Sequence, residues 1–333
     1  MSSRRLRRSS YPRRRRGRGW LWTLLSLFTL GMLASALAGL RRWTPEELKP
    51  EPEGPEPKRP EPEPPAAAAS EALWIAGPAG NLYVRDGGGA AEHPEPVPVL
   101  LVHSLAGNGG QWALQLDHLR RRRRAVALDL RGHGESDPAE DGDYSIAGLA
   151  GDVAAAADQL GLRRFILAGH SLGSAVAIEY AGRHPERVAG LLLVDPNGDT
   201  SRLPDSQVRP FLEALRSDPL AELESYFRQL VIGGDPDAVR WVLEDLRLTH
   251  EGAIVPAVEG AMSYEPLPAL ERYPGPRLSV ISDMNRLPYS LHNLLPSLPT
   301  RLMTGTGHWV MMDRPEVFNR LLDEFVEEVE ADR

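Results

Sequence analysis

The stretch FILAGHSLGSAVAIEYA, residues 165–181, limits the fold of this chain more than any other. An apolar run of strand length meets Gly-His-Ser-Leu-Gly and passes at once into an alanine-rich segment of helical character. A serine between a strand and a helix can serve simply as the helix cap. Glycines on both sides of it permit something else: a sharp turn that lifts Ser171 out of the backbone and lets other groups approach it closely.

The same alternation continues along the chain. LWIAGPAGNLYVRD reads as an opening hairpin, and VPVLLVHS, AVALDLRG, RFILAGHS, AGLLLVDP, RLSVISD and RLMTGTG read as central strands. Helical patterns fill residues 147–160, 172–183 and 315–330, the last with proline at its first position. Short runs rich in Val, Leu and Ile between helices predict an α/β fold with a mostly parallel sheet covered on both faces. Residues 197–273 hold no strand pattern and show helical spacing instead, which predicts a helical insertion. The 333 residues are enough for one large α/β domain with a substantial core or for two smaller ones.

Charge and composition exclude several functions. The formal charge of −8 divides into eleven arginines and no acid over residues 1–42 and −19 over the rest. A nucleic-acid partner for the folded part is therefore not expected. The absence of cysteine excludes disulfides, cysteine-based zinc sites and a thiol nucleophile.

Residues 20–40, WLWTLLSLFTLGMLASALAGL, are uncharged, mostly apolar and long enough for one hydrocarbon core. With nine arginines before this run and two after it, the positive-inside rule keeps the basic segment 1–19 cytoplasmic and sends the remainder across. Two readings are open: an uncleaved signal anchor in a bacterial-type membrane, or a signal peptide cleaved after Ala36-Leu37-Ala38 to give a secreted or periplasmic protein. Residues 41–69 are a Pro/Glu-rich spacer, in which proline removes donors and like charges extend the chain.

From about residue 73 to 329 the chain resembles the α/β-hydrolase family. Gly169-His170-Ser171-Leu172-Gly173 matches its Gly-x-Ser-x-Gly elbow. HSLAGNGGQW, residues 103–112, is similar to its His-Gly-x-x-Gly loop, with Ser104 in place of the first glycine. DLRGHGES, residues 129–136, matches the loop after the fourth strand, and GTGHWVMMDRPEVF, residues 305–318, its terminal Gly-His motif. The resemblance implies an α/β-hydrolase core over residues 70–196 and 274–333, with a helical cap, 197–273, after strand six. Ser171 is then the nucleophile, His308 its base, and the backbone N–H groups of Leu105 and Leu172 the oxyanion hole. His103, His133, His170 and His184 are read as structural.

The third triad member departs from the family pattern. Counting along PRLSVISDMN from Pro276 puts Asn285 where the family's acid usually stands, and an amide has no charge with which to stabilise an imidazolium. Two carboxylates are candidates. Asp195, in LLLVDPNGD, stands at the end of strand six, where some branches of the family carry the acid. Asp283 precedes Asn285 by two residues, a displacement of about 6–7 Å along a strand.

The expected activity is hydrolysis of an ester, less readily an amide, through an acyl-enzyme. No metal or organic cofactor is implied, and the cap predicts a small to medium, moderately apolar substrate. Acyl transfer on the same fold and a membrane-tethered binding or sensing module without turnover remain open. The sequence does not fix an oligomeric state.

Overall fold

The computed structural model of the protein describes residues 71–89 and 96–331. The basic segment 1–19, the apolar run 20–40 and the spacer 41–69 lie outside the described residues. Among the described residues no helix is long and apolar enough to cross a membrane.

Strands β1 (Glu71–Gly77) and β2 (Gly80–Gly87) form the opening hairpin. There follow β3 (Val99–Val102), α1 (Ala113–Arg120), β4 (Ala125–Leu128), α2 (Ile146–Gln159), β5 (Phe165–His170), α3 (Leu172–Arg183) and β6 (Val188–Val194). Helices α4 (Asp205–Ser217), α5 (Pro219–Leu230), α6 (Pro236–Asp245), α7 (Glu251–Ser263) and α8 (Pro266–Arg272) come next. The chain then returns through β7 (Arg277–Ser282), α9 (Leu291–Leu294), β8 (Thr300–Met303), α10 (Val310–Asp313) and α11 (Pro315–Ala331). The eight strands form one sheet in the order β1-β2-β4-β3-β5-β6-β7-β8. Pairing is antiparallel from β1 to β2 and from β2 to β4, and parallel from there on.

The strands read as unbroken apolar runs because successive side chains enter two different cores. Val99, Leu101, Ala125, Ala127, Ile166 and Ala168 face one core, which includes Leu116 of α1 and Phe318, Leu322 and Phe325 of α11. Leu100, Val102, Val126, Leu128, Phe165 and Leu167 face the other, which includes Val153 of α2, Val176 and Tyr180 of α3 and Leu270 of α8. Burial on both faces at β5 holds the strand that carries Ser171 at the centre of the sheet.

The inserted helices start on local signals. Asp218-Pro219 and Asp235-Pro236 each place proline at the first helical position, and the Asp218 and Asp235 carboxylates accept the N–H of Ala221 and of Asp237 and Ala238. The insertion is fastened to the core where the His250 N–H donates to the Gly132 carbonyl (3.0 Å) and the Tyr264 hydroxyl to Glu179 (3.0 Å).

Candidate active site

The turn from β5 into α3 leaves no choice of residue at its two glycines. A Cβ on Gly169 would stand 2.1 Å from the Gly173 carbonyl oxygen, and one on Gly173 would stand 2.5 Å from the carbonyl oxygens of Val102 and His103. Ser171 between them takes φ 53°, ψ −114°, a strained conformation for a residue with a side chain. Its side chain does not cap α3. The hydroxyl instead reaches the cavity and donates to Asn197 Oδ1 at 2.8 Å.

His308 stands on the turn between β8 and α10, with its N–H donated to the Leu230 carbonyl of the inserted helices at 2.9 Å. Its Nδ1–H donates to Asp195 Oδ2 at 2.6 Å, which leaves Nε2 as the ring's proton acceptor. His170 Nε2–H donates to the His308 carbonyl (2.9 Å), and the two rings lie 4.6 Å apart. The Trp309 ring meets His308 edge-on at 5.1 Å.

Asp195 ends β6 with φ 41° and is almost fully buried. A buried carboxylate without a cation beside it needs donors. Asp195 has four: His308 Nδ1, the Ser282 N–H (2.8 Å), the Ser282 hydroxyl (2.9 Å) and Asn285 Nδ2 (3.0 Å). Asn285 also donates Nδ2 to the Pro196 carbonyl (2.8 Å) and accepts the Ser290 hydroxyl proton at Oδ1 (2.8 Å), so its amide is fixed as a donor toward Asp195. The amide at the family's usual acid position thus supports a carboxylate on the neighbouring strand. Asp283, the other candidate, is exposed and pairs with Arg286 at 2.9 Å. The structure brings Asp195, not Asp283, to His308.

Leu105 and Leu172 line the cavity beside Ser171. The loop carrying Leu105 is held from several sides. His103 accepts the Leu130 N–H at Nε2 (2.9 Å), so its Nδ1–H donates to the Ser104 carbonyl (2.7 Å). The buried Asp129 carboxylate takes the Gly109 N–H (2.6 Å), the Glu135 N–H (3.0 Å) and Arg85 (2.6 Å). Ser104, where the family has glycine, donates its hydroxyl to Gln111 Oε1 (3.2 Å). Gln111 also accepts from Trp309 Nε1 (3.3 Å) and donates to Asp245 of α6 (3.1 Å), which joins this loop to both the His308 turn and the inserted helices. Asn197, Gln111, Ser282 and Ser290 were not among the residues predicted from sequence.

Burial pushes the imidazoles of His103 and His133 down from 6.5 to about 4 and about 3, and that of His170 well down too. All three are neutral near pH 7, as structural histidines should be. The unfolded chain, with ordinary imidazoles, binds more protons than the folded one between about pH 4 and 6.5. Stability is therefore fully present above about pH 6.5 and is lost as the pH falls toward about 4. Thermal melts are expected to show a markedly lower midpoint at pH 5 than at pH 7.5, and equal midpoints would contradict this assignment.

The cavity measures about 1020 Å³, counted with the solvent at its mouth. Ser171, His308 and Asp195 line it together with Phe211, Tyr226, Phe227, Leu230 and Met262 of the inserted helices. Its lining contains no lysine or arginine, and Asp195 is its one acidic residue. Burial pushes the Tyr226 hydroxyl up to about 12, so it stays protonated. Among the described residues no cluster of His, Asp and Glu could hold a metal ion.

Residues 97–234 match the family described as the alpha/beta hydrolase fold. The chain has the α/β-hydrolase fold. The family match includes Ser171 and ends before β7, β8 and His308, which follow from the sheet topology instead. The chain is 40% identical over 116 residues to the dihydrolipoyllysine-residue acetyltransferase component of the acetoin cleaving system of Cupriavidus necator, a match covering 35% of this chain and 29% of that protein. It is 36% identical over 148 residues to the (lyso)-N-acylphosphatidylethanolamine lipase of Mus musculus, covering 40% of this chain and 42% of the lipase. The chain thus spans well under half the length of these curated relatives. An esterase from Exiguobacterium antarcticum shares the fold with a TM-score of 0.67 and 19% identity, over 77% of this chain and 100% of the esterase.

Proposed function

We propose that this α/β hydrolase is a serine hydrolase that cleaves a neutral, moderately apolar carboxylic ester through an acyl-enzyme. One observation carries the reading: the imidazole of His308 is bonded to a buried, four-donor carboxylate and faces the same apolar cavity as Ser171. Ser171 Oγ attacks the ester carbonyl while His308 Nε2 takes its proton. The tetrahedral oxyanion is held by the backbone N–H groups of Leu105 and Leu172, aimed where charge develops. His308 then gives the proton to the departing alkoxide, leaving the acyl group on Ser171. Water attacks the acyl-enzyme with His308 again as base, and the carboxylic acid leaves with Ser171 restored. Asp195 keeps the imidazole in the tautomer that accepts at Nε2 and stabilises the imidazolium formed in each half.

A cavity without a cation and with a buried carboxylate disfavours anionic substrates. p-Nitrophenyl esters of neutral short to medium acyl chains are expected to be turned over at least about tenfold better, in kcat/KM, than their ω-carboxylate analogues, the discrimination expected of about one unpaired charge in a desolvated site. Equal rates on both series would contradict the substrate assignment. Acyl transfer is the second reading, favoured by the acetyltransferase named among the relatives. Product analysis with an added alcohol or thiol separates the two, because transfer yields the acceptor's ester and hydrolysis yields the acid.

Residues 20–40 support the further proposal that the domain is carried to the outer side of a bacterial-type membrane, either anchored or released. The mass of the mature protein in membrane and soluble fractions tests it: an intact chain in the membrane fraction indicates the anchor, and a shortened soluble chain indicates cleavage.

A further inference from the structure

We propose that Asn197 is a positioning residue that holds the proton of the Ser171 hydroxyl in the resting enzyme, so that the nucleophile couples to His308 only once an acyl group occupies the cavity. The inference rests on the serine-hydrolase reading above and deepens it. A hydroxyl has one proton to donate. Here it goes to Asn197 Oδ1 at 2.8 Å, and among the described residues Ser171 makes no hydrogen bond to His308. The resting geometry is therefore not the reacting one.

Asn197 has a firm base from which to do this. It sits in Asp195-Pro196-Asn197-Gly198-Asp199, where Asp195 and Gly198 take φ 41° and 74°. A Cβ on Gly198 would stand 2.3 Å from the Tyr289 carbonyl oxygen, and the Asp199 N–H donates to that same carbonyl at 2.8 Å. The Pro196 carbonyl is held by Asn285. One stiff turn thus carries the carboxylate for His308 and, two residues later, the acceptor for Ser171. Among the described residues the Asn197 side chain makes no other hydrogen bond, so it is not a strut between elements. It also lines the cavity, where an entering acyl group would meet it.

An amide can release the serine as well as hold it. Turning the Asn197 amide over presents Nδ2 to Ser171 Oγ, which then receives a hydrogen bond and has its own proton left for His308. A carboxylate at this position lacks that alternative, because both its oxygens accept.

The test is the second-order rate constant for labelling of Ser171 by a fluorophosphonate, measured on the full chain, with thermal melts as the control for folding. Asn197→Ala and Asn197→Leu, which remove the acceptor with and without loss of volume, are expected to label about two- to tenfold faster than wild type, the worth of one neutral hydrogen bond. Asn197→Asp is expected to label more slowly than wild type. A merely structural residue gives no acceleration. Labelling of the Ala and Leu variants that is unchanged or slower, with melts intact, overturns the proposal while leaving the serine-hydrolase reading standing. Wild type that is not labelled at Ser171 overturns both.

Discussion

Ser171→Ala and His308→Ala are each expected to lower kcat by about 10⁵- to 10⁶-fold, and the double variant by no more than either alone. The non-additivity follows from the chemistry: without the serine there is no proton for His308 to take, and without His308 the serine is a weak nucleophile. What survives is the rate supplied by binding and by the Leu105 and Leu172 N–H groups. Neither substitution should cost the fold its core, since Ser171 faces the cavity and His308 holds its turn through its backbone N–H to Leu230. Steady-state kinetics on a neutral p-nitrophenyl ester, with circular dichroism to confirm folding, measures this. Multiplying losses in the double variant would mean the two residues act independently and not as nucleophile and base.

The second large effect separates the two candidate acids. Asp195→Asn is expected to lower kcat by about 10³- to 10⁴-fold, while Asp283→Asn should change it less than about twofold. An amide at 195 cannot stabilise the imidazolium. It also meets donors from Ser282, Asn285 and His308 with only one oxygen able to accept, so the imidazole loses the bond that fixes its tautomer. Asp283 forms an exposed pair with Arg286, of a kind worth about 0–1 kcal/mol. The reverse pattern of losses would return the acid to strand seven.

Much of the architecture was legible before the structure because its causes are local. Each central strand is apolar along its whole length since both its faces are buried, and Gly169 and Gly173 announce a turn in which no Cβ fits. The helical spacing of apolar residues announced the inserted helices, though not the Asp-Pro pairs at which two of them start. The departure at Asn285 was also legible, but only as a missing charge. Its consequence, an amide turned toward a carboxylate 90 positions away, depends on β6 and β7 lying side by side. Asn197 and Gln111 were hidden for the same reason. Asn197 meets a hydroxyl 26 positions back, and Gln111 meets Asp245 and Trp309 at separations of 134 and 198. Periodicity carries no trace of such pairings, although the DPNG turn directly after a strand was a signal that a side chain there would be firmly placed.

The most direct measurement is to treat the full chain with a fluorophosphonate and locate the adduct by peptide mass spectrometry. Such a probe phosphonylates an activated serine and needs no knowledge of the substrate. The account predicts one adduct, on Ser171, which is lost in His308→Ala and strongly slowed in Asp195→Asn. A folded wild-type protein that takes no adduct on Ser171, or one whose adduct persists in His308→Ala, would contradict it.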